Sequence, residues 1–232
     1  MSIASKWSDL LPRTLSAIVM ATVGITATYY GGVAFSVLIL VCLAAMLWEL
    51  LRMARPAIRE GRDWGIFFAY SLAITVASCA FIYLRNRPDG VWAIFVLFVI
   101  VILSDIFGYF AGKAIGGPKF WPRISPKKTW AGTIAGWVAA GIFGVIASTM
   151  DITKDIVLVS ASPVLTVIGF VLLAFAAQLG DIVESALKRR YSIKDSSNLI
   201  PGHGGVLDRF DGMVGVGAVA GLFIVISSYF GG

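Results

Sequence analysis

Charge is scarce in this chain. Only 14% of its 232 residues are Asp, Glu, Lys or Arg, where a soluble domain carries about 25%. Hydrophobic residues make up 58%, and mean hydropathy is +0.87. That combination excludes a water-soluble globule, which has no way to hide so much apolar surface, and leaves the bilayer as the solvent. Cysteine is nearly missing as well. Cys42 and Cys79 each lie inside an apolar run, with no Cys or His at metal-ligand spacing. This removes zinc-type sites and leaves both as packing residues. Strict alternation of polar and apolar residues is absent, which excludes a membrane β-barrel. Internal repeats, low-complexity tracts and flexible linkers are absent too. No small-x-small cleavage site follows the first apolar stretch, and charge-free sequence runs from Thr14 to Trp48. That run is far longer than a signal-peptide core, so the segment is expected to stay as a membrane anchor.

What is there is a set of charge-poor blocks: Thr14–Trp48, Trp64–Leu84, Gly90–Gly112, Thr129–Met150, Ile156–Gly180 and Gly212–Gly232. The first is too long for one span, and Gly31-Gly32 near its middle is a turn signal. Splitting it into Leu15–Tyr30 and Val33–Leu51 gives seven spans. Lipid leaves helix as the conformation that satisfies every backbone group within its own segment. The expected fold is an all-α polytopic membrane protein of about seven transmembrane helices, with a polar cavity on the cytoplasmic side. It forms one integral membrane domain over 1–232, with N-terminal helices in 15–84 and catalytic helices and loops in 90–230.

The net charge is +6, with a single histidine. With seven spans, sixteen of the nineteen Lys and Arg residues fall on the side of the N-terminus, in or beside 52–63, 113–128 and 187–211. The positive-inside rule then puts the N-terminus in the cytoplasm. The same residues attract anionic headgroups, and no fold signal supports nucleic-acid binding.

Acidic residues within spans mark function by default. Glu49, one turn from Arg52, reads as an interfacial ion pair. Asp105 lies deep in the fourth span and shares a helix face with Gly108 and Gly112, glycines that permit close approach of a helix or a ligand. The segment Ser125-Pro126-Lys127-Lys128-Thr129 places two lysines and two hydroxyls at a helix start, where backbone N–H groups also favour a phosphate. Asp181, Glu184, Ser185 and Lys188 fall at i, i+3, i+4 and i+7 and line one face. The basic loop 188–195, the turn Pro201-Gly202-His203-Gly204-Gly205 and Asp208-Arg209-Phe210-Asp211 follow. Carboxylates for a hard cation, cations for phosphates and glycines for close backbone approach are what phosphoryl or nucleotidyl transfer requires.

The pattern Ser185-x-x-Lys188-Arg189, Lys194-Asp195, Pro201-x-His203-Gly204-Gly205-x-x-Asp208-Arg209-x-Asp211 covers 27 residues. It resembles the signature of the phosphatidate cytidylyltransferases, the CDP-diacylglycerol synthases. The segments 105–113 and 125–132 resemble further motifs of that family, in order. The resemblance implies nucleotidyl transfer from CTP to phosphatidic acid in an integral membrane homodimer. It implies Mg²⁺ or Mn²⁺ held by Asp181 and Asp208, with a monovalent cation such as K⁺ alongside. Asp181, Asp208, Lys188 and Asp211 become the catalytic candidates. Substrate contacts fall to Ser125, Lys127, Lys128, Thr129, Ser185, Arg189, Lys194, His203, Gly204, Gly205 and Arg209. Asp105, Glu184 and Asp195 are supporting residues. For a bacterial source the location would be the inner membrane, with the site facing the cytoplasm. One departure stands out: Ala131 occupies a position where the family commonly has Glu. Three other readings stay open: a transporter of a phosphate-bearing solute, a CTP-dependent polyprenol or phytol kinase, and an inactive scaffold.

Overall fold

The computed structural model describes residues 3–150 and 162–230. Lys154 and the first residues of the Ile156–Gly180 block lie outside them. Seven helices run through the described residues: α1 (Ile3–Tyr30), α2 (Gly32–Arg59), α3 (Trp64–Arg85), α4 (Gly90–Ala114), α5 (Trp130–Thr149), α6 (Pro163–Arg190) and α7 (Leu207–Phe230). All seven are long and apolar enough to cross a membrane. The chain is a multi-pass integral membrane protein.

The break between α1 and α2 falls where the paired glycines predict it. Gly31 and Gly32 take φ of +66° and +52°, a left-handed conformation that glycine adopts without steric cost. The first helix starts earlier than the expected Leu15, because charged residues ahead of the apolar run continue the same helix. The helices also extend past the apolar blocks at several ends, and α6 reaches Arg190.

Helix packing follows the sequence order from α4 to α7, and α3 closes the bundle by packing on α7. In lipid, helices gain little from burying apolar surface against one another; small residues and polar contacts hold them together. Both devices appear here. A Cβ on Gly112 would lie 3.7 Å from the Cα of Gly132, so α4 and α5 meet backbone to backbone. Gln178 Nε2 on α6 donates to Ser104 Oγ on α4 (3.0 Å) and to Thr133 O on α5 (3.2 Å). One amide thus ties three helices at membrane depth.

Helix α1 is different. The part of it that would cross the membrane buries none of its residues. It is tied to the rest of the chain near its middle, at Ser16, and at its C-terminal end. Arg85 Nη2 donates to Tyr29 O (2.9 Å), and Ser16 Oγ donates to Pro201 O (3.0 Å).

One element departs from the all-helical expectation. Between α4 and α5 the chain forms a short antiparallel hairpin, β1 (Lys119–Trp121) and β2 (Ser125–Thr129). Lys127 and Lys128 were expected at the start of a helix, but they stand on β2 just before it. Pro126 cannot continue a helical hydrogen-bond ladder, and Gly116 and Gly117, both at positive φ, turn the chain back for the pairing. Phe120 packs edge-on against Trp130, 4.6 Å between ring centroids, and fixes the hairpin to α5. Thr129 caps α5 by accepting from Gly132 N (3.2 Å).

Candidate active site

The signature residues of α6 and α7, the β2 strand and the polar face of α4 converge on one cavity of about 660 Å³. From α4 it takes Ser104, Asp105 and Gly108; from the hairpin Lys119, Lys127, Lys128 and Thr129; from α6 Gln178 and Asp181; from α7 Asp208, Arg209 and Asp211. A smaller cavity of about 220 Å³ adjoins it and shares Pro126 and Lys127. Ser125, Ser185, Lys188, Arg189 and Lys194 line this second space. Eight of the eleven expected substrate contacts are therefore divided between two neighbouring pockets.

The charges form a chain of contacts. Lys128 Nζ lies 2.5 Å from Asp181 Oδ2. Ser185 Oγ donates to Asp181 Oδ1 across one helical turn (3.3 Å). Lys188 Nζ stands between two carboxylates, 2.5 Å from Glu184 Oε2 and 2.8 Å from Asp208 Oδ1. Its ammonium is thus occupied by internal partners, whereas Lys127, Arg189, Lys194 and Arg209 are exposed.

Asp208 has a full set of donors. Lys188 Nζ donates to Oδ1; Ser196 N (2.9 Å), Ser196 Oγ (2.9 Å) and Gly205 N (2.8 Å) all reach Oδ2. The glycine turn supplies one of these donors, so the Gly205 N–H points at a side chain of the protein itself. Gly204 is held close for the same reason: at φ +84°, a Cβ there would come within 2.9 Å of Asp208 Oδ2.

The turn also faces α1. His203 Nδ1 is 2.8 Å from Ser16 Oγ, and Arg209 Nε donates to His203 O (3.0 Å). Neither His203 nor Gly204 nor Gly205 lines the two cavities, and the same is true of Asp195, Glu184 and Ala131.

Three carboxylates meet where a cation would fit. One oxygen from each of Asp181, Glu184 and Asp211 lies within 4.8 Å of the others. Glu184 is fully buried, and among the described residues its Oε1 accepts no hydrogen bond. A buried carboxylate oxygen without a donor is costly unless a positive charge meets it. The donors are all oxygen, which suits a hard cation and not a thiophilic one. The residues present therefore fit a divalent metal. Asp181, one of the two ligands expected from the resemblance, belongs to this set; Asp208 lies outside it, and Asp211 takes part instead.

Glu49 corrects the sequence reading. It was expected at an interface beside Arg52, yet it is completely buried. It accepts from Ser196 Oγ (3.2 Å), Ser197 Oγ (2.5 Å), Val206 N (2.9 Å) and Leu207 N (2.7 Å). The guanidinium of Arg52 lies over the Trp48 ring instead, 5.7 Å from its centroid. The available signal was a carboxylate between Trp48 and Leu50 inside an apolar run. Its partners, about 150 residues away, carried no signal of their own.

A bundle of spanning helices around a pocket of carboxylates, lysines and hydroxyls defines a membrane protein built to receive an anionic ligand. The profile of the Cytidylyltransferase family matches residues 56–227, and the chain belongs to that family. The phosphatidate cytidylyltransferase of Brucella abortus (biovar 1, strain 9-941) is 33% identical over 268 aligned residues, covering 93% of this chain and 93% of the relative. That of Rickettsia bellii (strain RML369-C) is 36% identical over 207 residues, covering 89% and 87%. The Rickettsia conorii enzyme of the same name is 32% identical over 207 residues.

Proposed function

We propose that this chain is a phosphatidate cytidylyltransferase, making CDP-diacylglycerol and pyrophosphate from CTP and phosphatidic acid. The observation that carries the reading is the 660 Å³ cavity in which Asp105, Asp181 and Asp211 face Lys119, Lys127, Lys128 and Arg209 at the ends of membrane helices. Two adjoining polar spaces suit a reaction with two phosphate-bearing substrates.

In the reaction, a phosphate oxygen of phosphatidic acid forms a bond to the α-phosphorus of CTP. The bond from that phosphorus to the bridging oxygen of the β-phosphate breaks, and pyrophosphate leaves. Lys127, Lys128 and Arg209 offset the charge of the nucleotide phosphates. Ser125, Ser185, Arg189 and Lys194 hold the second phosphate group in the smaller space. Lys188 keeps Glu184 and Asp208 aligned, and Asp105 supports the polar wall on α4. His203, Gly204 and Gly205 shape the loop that carries Asp208, and Thr129 fixes the lysine strand to its helix.

Asp181, Asp211 and Glu184 would hold Mg²⁺ or Mn²⁺. Bound there, the ion would neutralise phosphate charge near the reacting phosphorus. Asp208 completes the acidic wall, its oxygens engaged by donors; a monovalent cation such as K⁺ would sit beside the divalent one. The acyl chains stay in the bilayer while the headgroup enters. The positive-inside bias supports a cytoplasmic site, the bacterial relatives support an inner-membrane location, and the family resemblance supports a homodimer.

The test is conversion of labelled CTP by purified protein in detergent, with phosphatidic acid and Mg²⁺, and a chelator as control. Metal-dependent and phosphatidate-dependent formation of lipid-soluble CDP-diacylglycerol is the expected result. Absence of product from folded protein with several divalent ions overturns the reading. Labelled lipid phosphate from a polyprenol would assign a kinase instead, and solute flux without chemistry a transporter.

A further inference from the structure

Glu49 lies on α2, outside the residues 56–227 that match the family profile, and it lines neither polar cavity. We propose that it is a positioning residue for the site, fixing the loop 196–207 and, through Ser196, the carboxylate of Asp208. The inference rests on the proposed function for its effect on turnover, but not for its effect on the loop.

The geometry is specific. Val206 N and Leu207 N are free amide donors at the head of α7, where a helix has no internal acceptors to offer them. Glu49 takes one with each oxygen. Its other two donors are the hydroxyls of Ser196 and Ser197, both buried. The Ser196 hydroxyl is shared with Asp208 Oδ2. Two carboxylates from opposite ends of the sequence are thereby joined through one side chain.

The glycine of the turn fits this arrangement. A Cβ on Gly205 would lie 2.5 Å from Glu49 Oε1. Glycine at this position therefore makes room for the Ser196 hydroxyl, which a Cβ would meet first, and for Glu49 behind it, in addition to presenting its N–H to Asp208. Moving Glu49 moves the turn, and the turn leads directly into the start of α7, which carries Asp208, Arg209 and Asp211.

Glu49→Gln tests the proposal with little change of shape. The amide NH₂ faces a backbone N–H, so one acceptor is lost and two donors oppose each other. The full chain in detergent is compared with wild type by hydrogen–deuterium exchange and by steady-state kinetics. Exchange in 196–207 should quicken at least tenfold, with α4 and α5 unchanged. The kcat should fall roughly 10- to 100-fold, the range seen when an outer-shell partner is removed. KM for CTP should stay within about twofold. Glu49→Asp, which keeps the charge, should recover part of the kcat. Ser197→Ala, which removes a single donor, serves if Glu49→Gln does not fold; it should shift exchange and kcat in the same directions by less. Wild-type protection of the loop in the variants overturns the proposal. Faster exchange with unchanged kcat, or a change confined to KM, overturns it also. If wild type makes no product, the proposed function fails, and exchange alone decides whether Glu49 anchors the loop.

Discussion

Two sets of carboxylates lie side by side in this protein, and they differ in how much of their capacity is already spent. Glu49 and Asp208 each accept from four donors of the protein itself. Asp181 and Asp211 line the cavity with far fewer partners. Asp181 meets one hydroxyl and one ammonium, and Asp211 accepts from Gly212 N at 2.7 Å. The first pair spends its lone pairs on holding a loop. The second leaves lone pairs facing the cavity, as the proposed metal role requires. Acidic residues that stand together in one motif therefore divide into holders and receivers, and counting donors separates them.

The sharpest way to break this comparison is to neutralise one carboxylate of each kind. Asp181→Asn and Asp211→Asn should each lower turnover by at least ~10²-fold, the scale of losing one preorganised charge contact in a transition state. Their thermal midpoints should match wild type. A midpoint that collapses together with activity would erase the distinction. Asp208→Asn should lose activity and also stability, by about 1–3 kcal/mol, because Lys188 would keep Glu184 as its one remaining carboxylate and the donors on Asp208 would face a neutral side chain. Denaturant unfolding in detergent measures this, and a variant as stable as wild type would move Asp208 to the receivers. Lys128→Ala should raise KM for CTP roughly tenfold, the worth of one charge-assisted contact; an unchanged KM for CTP would remove Lys128 from the phosphate site.

The smallest effect is expected away from the cavity. Asp63 accepts from Arg190 Nε (2.7 Å) and Nη2 (2.5 Å). The Arg190 hydrogen bonds hold its carboxyl below the ordinary value of 3.8. A depressed folded pKa means stability that is present above about pH 4 and lost as pH falls through the folded value. Asp63→Asn should therefore lower the thermal midpoint slightly at neutral pH, and the difference should vanish in more acidic buffer. A difference that persists unchanged at low pH would refute this account of the pair.

Much of the fold was legible in the sequence because lipid imposes a simple code. Charge-poor stretches became helices, and Gly31-Gly32 became the turn that divides the longest of them. The Asp105, Gly108 and Gly112 face did meet another helix, through Gly132. Asp105 and Asp181 were conspicuous as well, since a carboxylate within an apolar span stands out, whereas Lys127 and Lys128 were visible only as a basic pair. The hairpin was not, because three- and five-residue strands carry too little periodicity to register. Nor was the role of Glu49. Its burial depends on Ser196, Ser197, Val206 and Leu207 coming to it across the whole fold, and no local pattern encodes a contact of that range. The donors around Asp208 were hidden for the same reason, so its distinction from Asp211 emerged only in three dimensions.

The contact between Glu49 and Leu207 spans 158 residues of sequence, and this has a consequence for how the protein is made. Translation at 5–20 residues per second leaves about 8–30 s between the synthesis of the acid and that of its donors. During that interval Glu49 lacks the four donors that meet it in the folded chain, Ser196, Ser197, Val206 and Leu207. A buried carboxylate without donors is costly, so the half-made protein is expected to keep Glu49 at the water boundary until the last loop arrives. Completion of the chain and closure of the site are then one event. A product truncated before Ser196 would keep an uncompensated acid in its second helix, without any of the donors that the finished chain supplies.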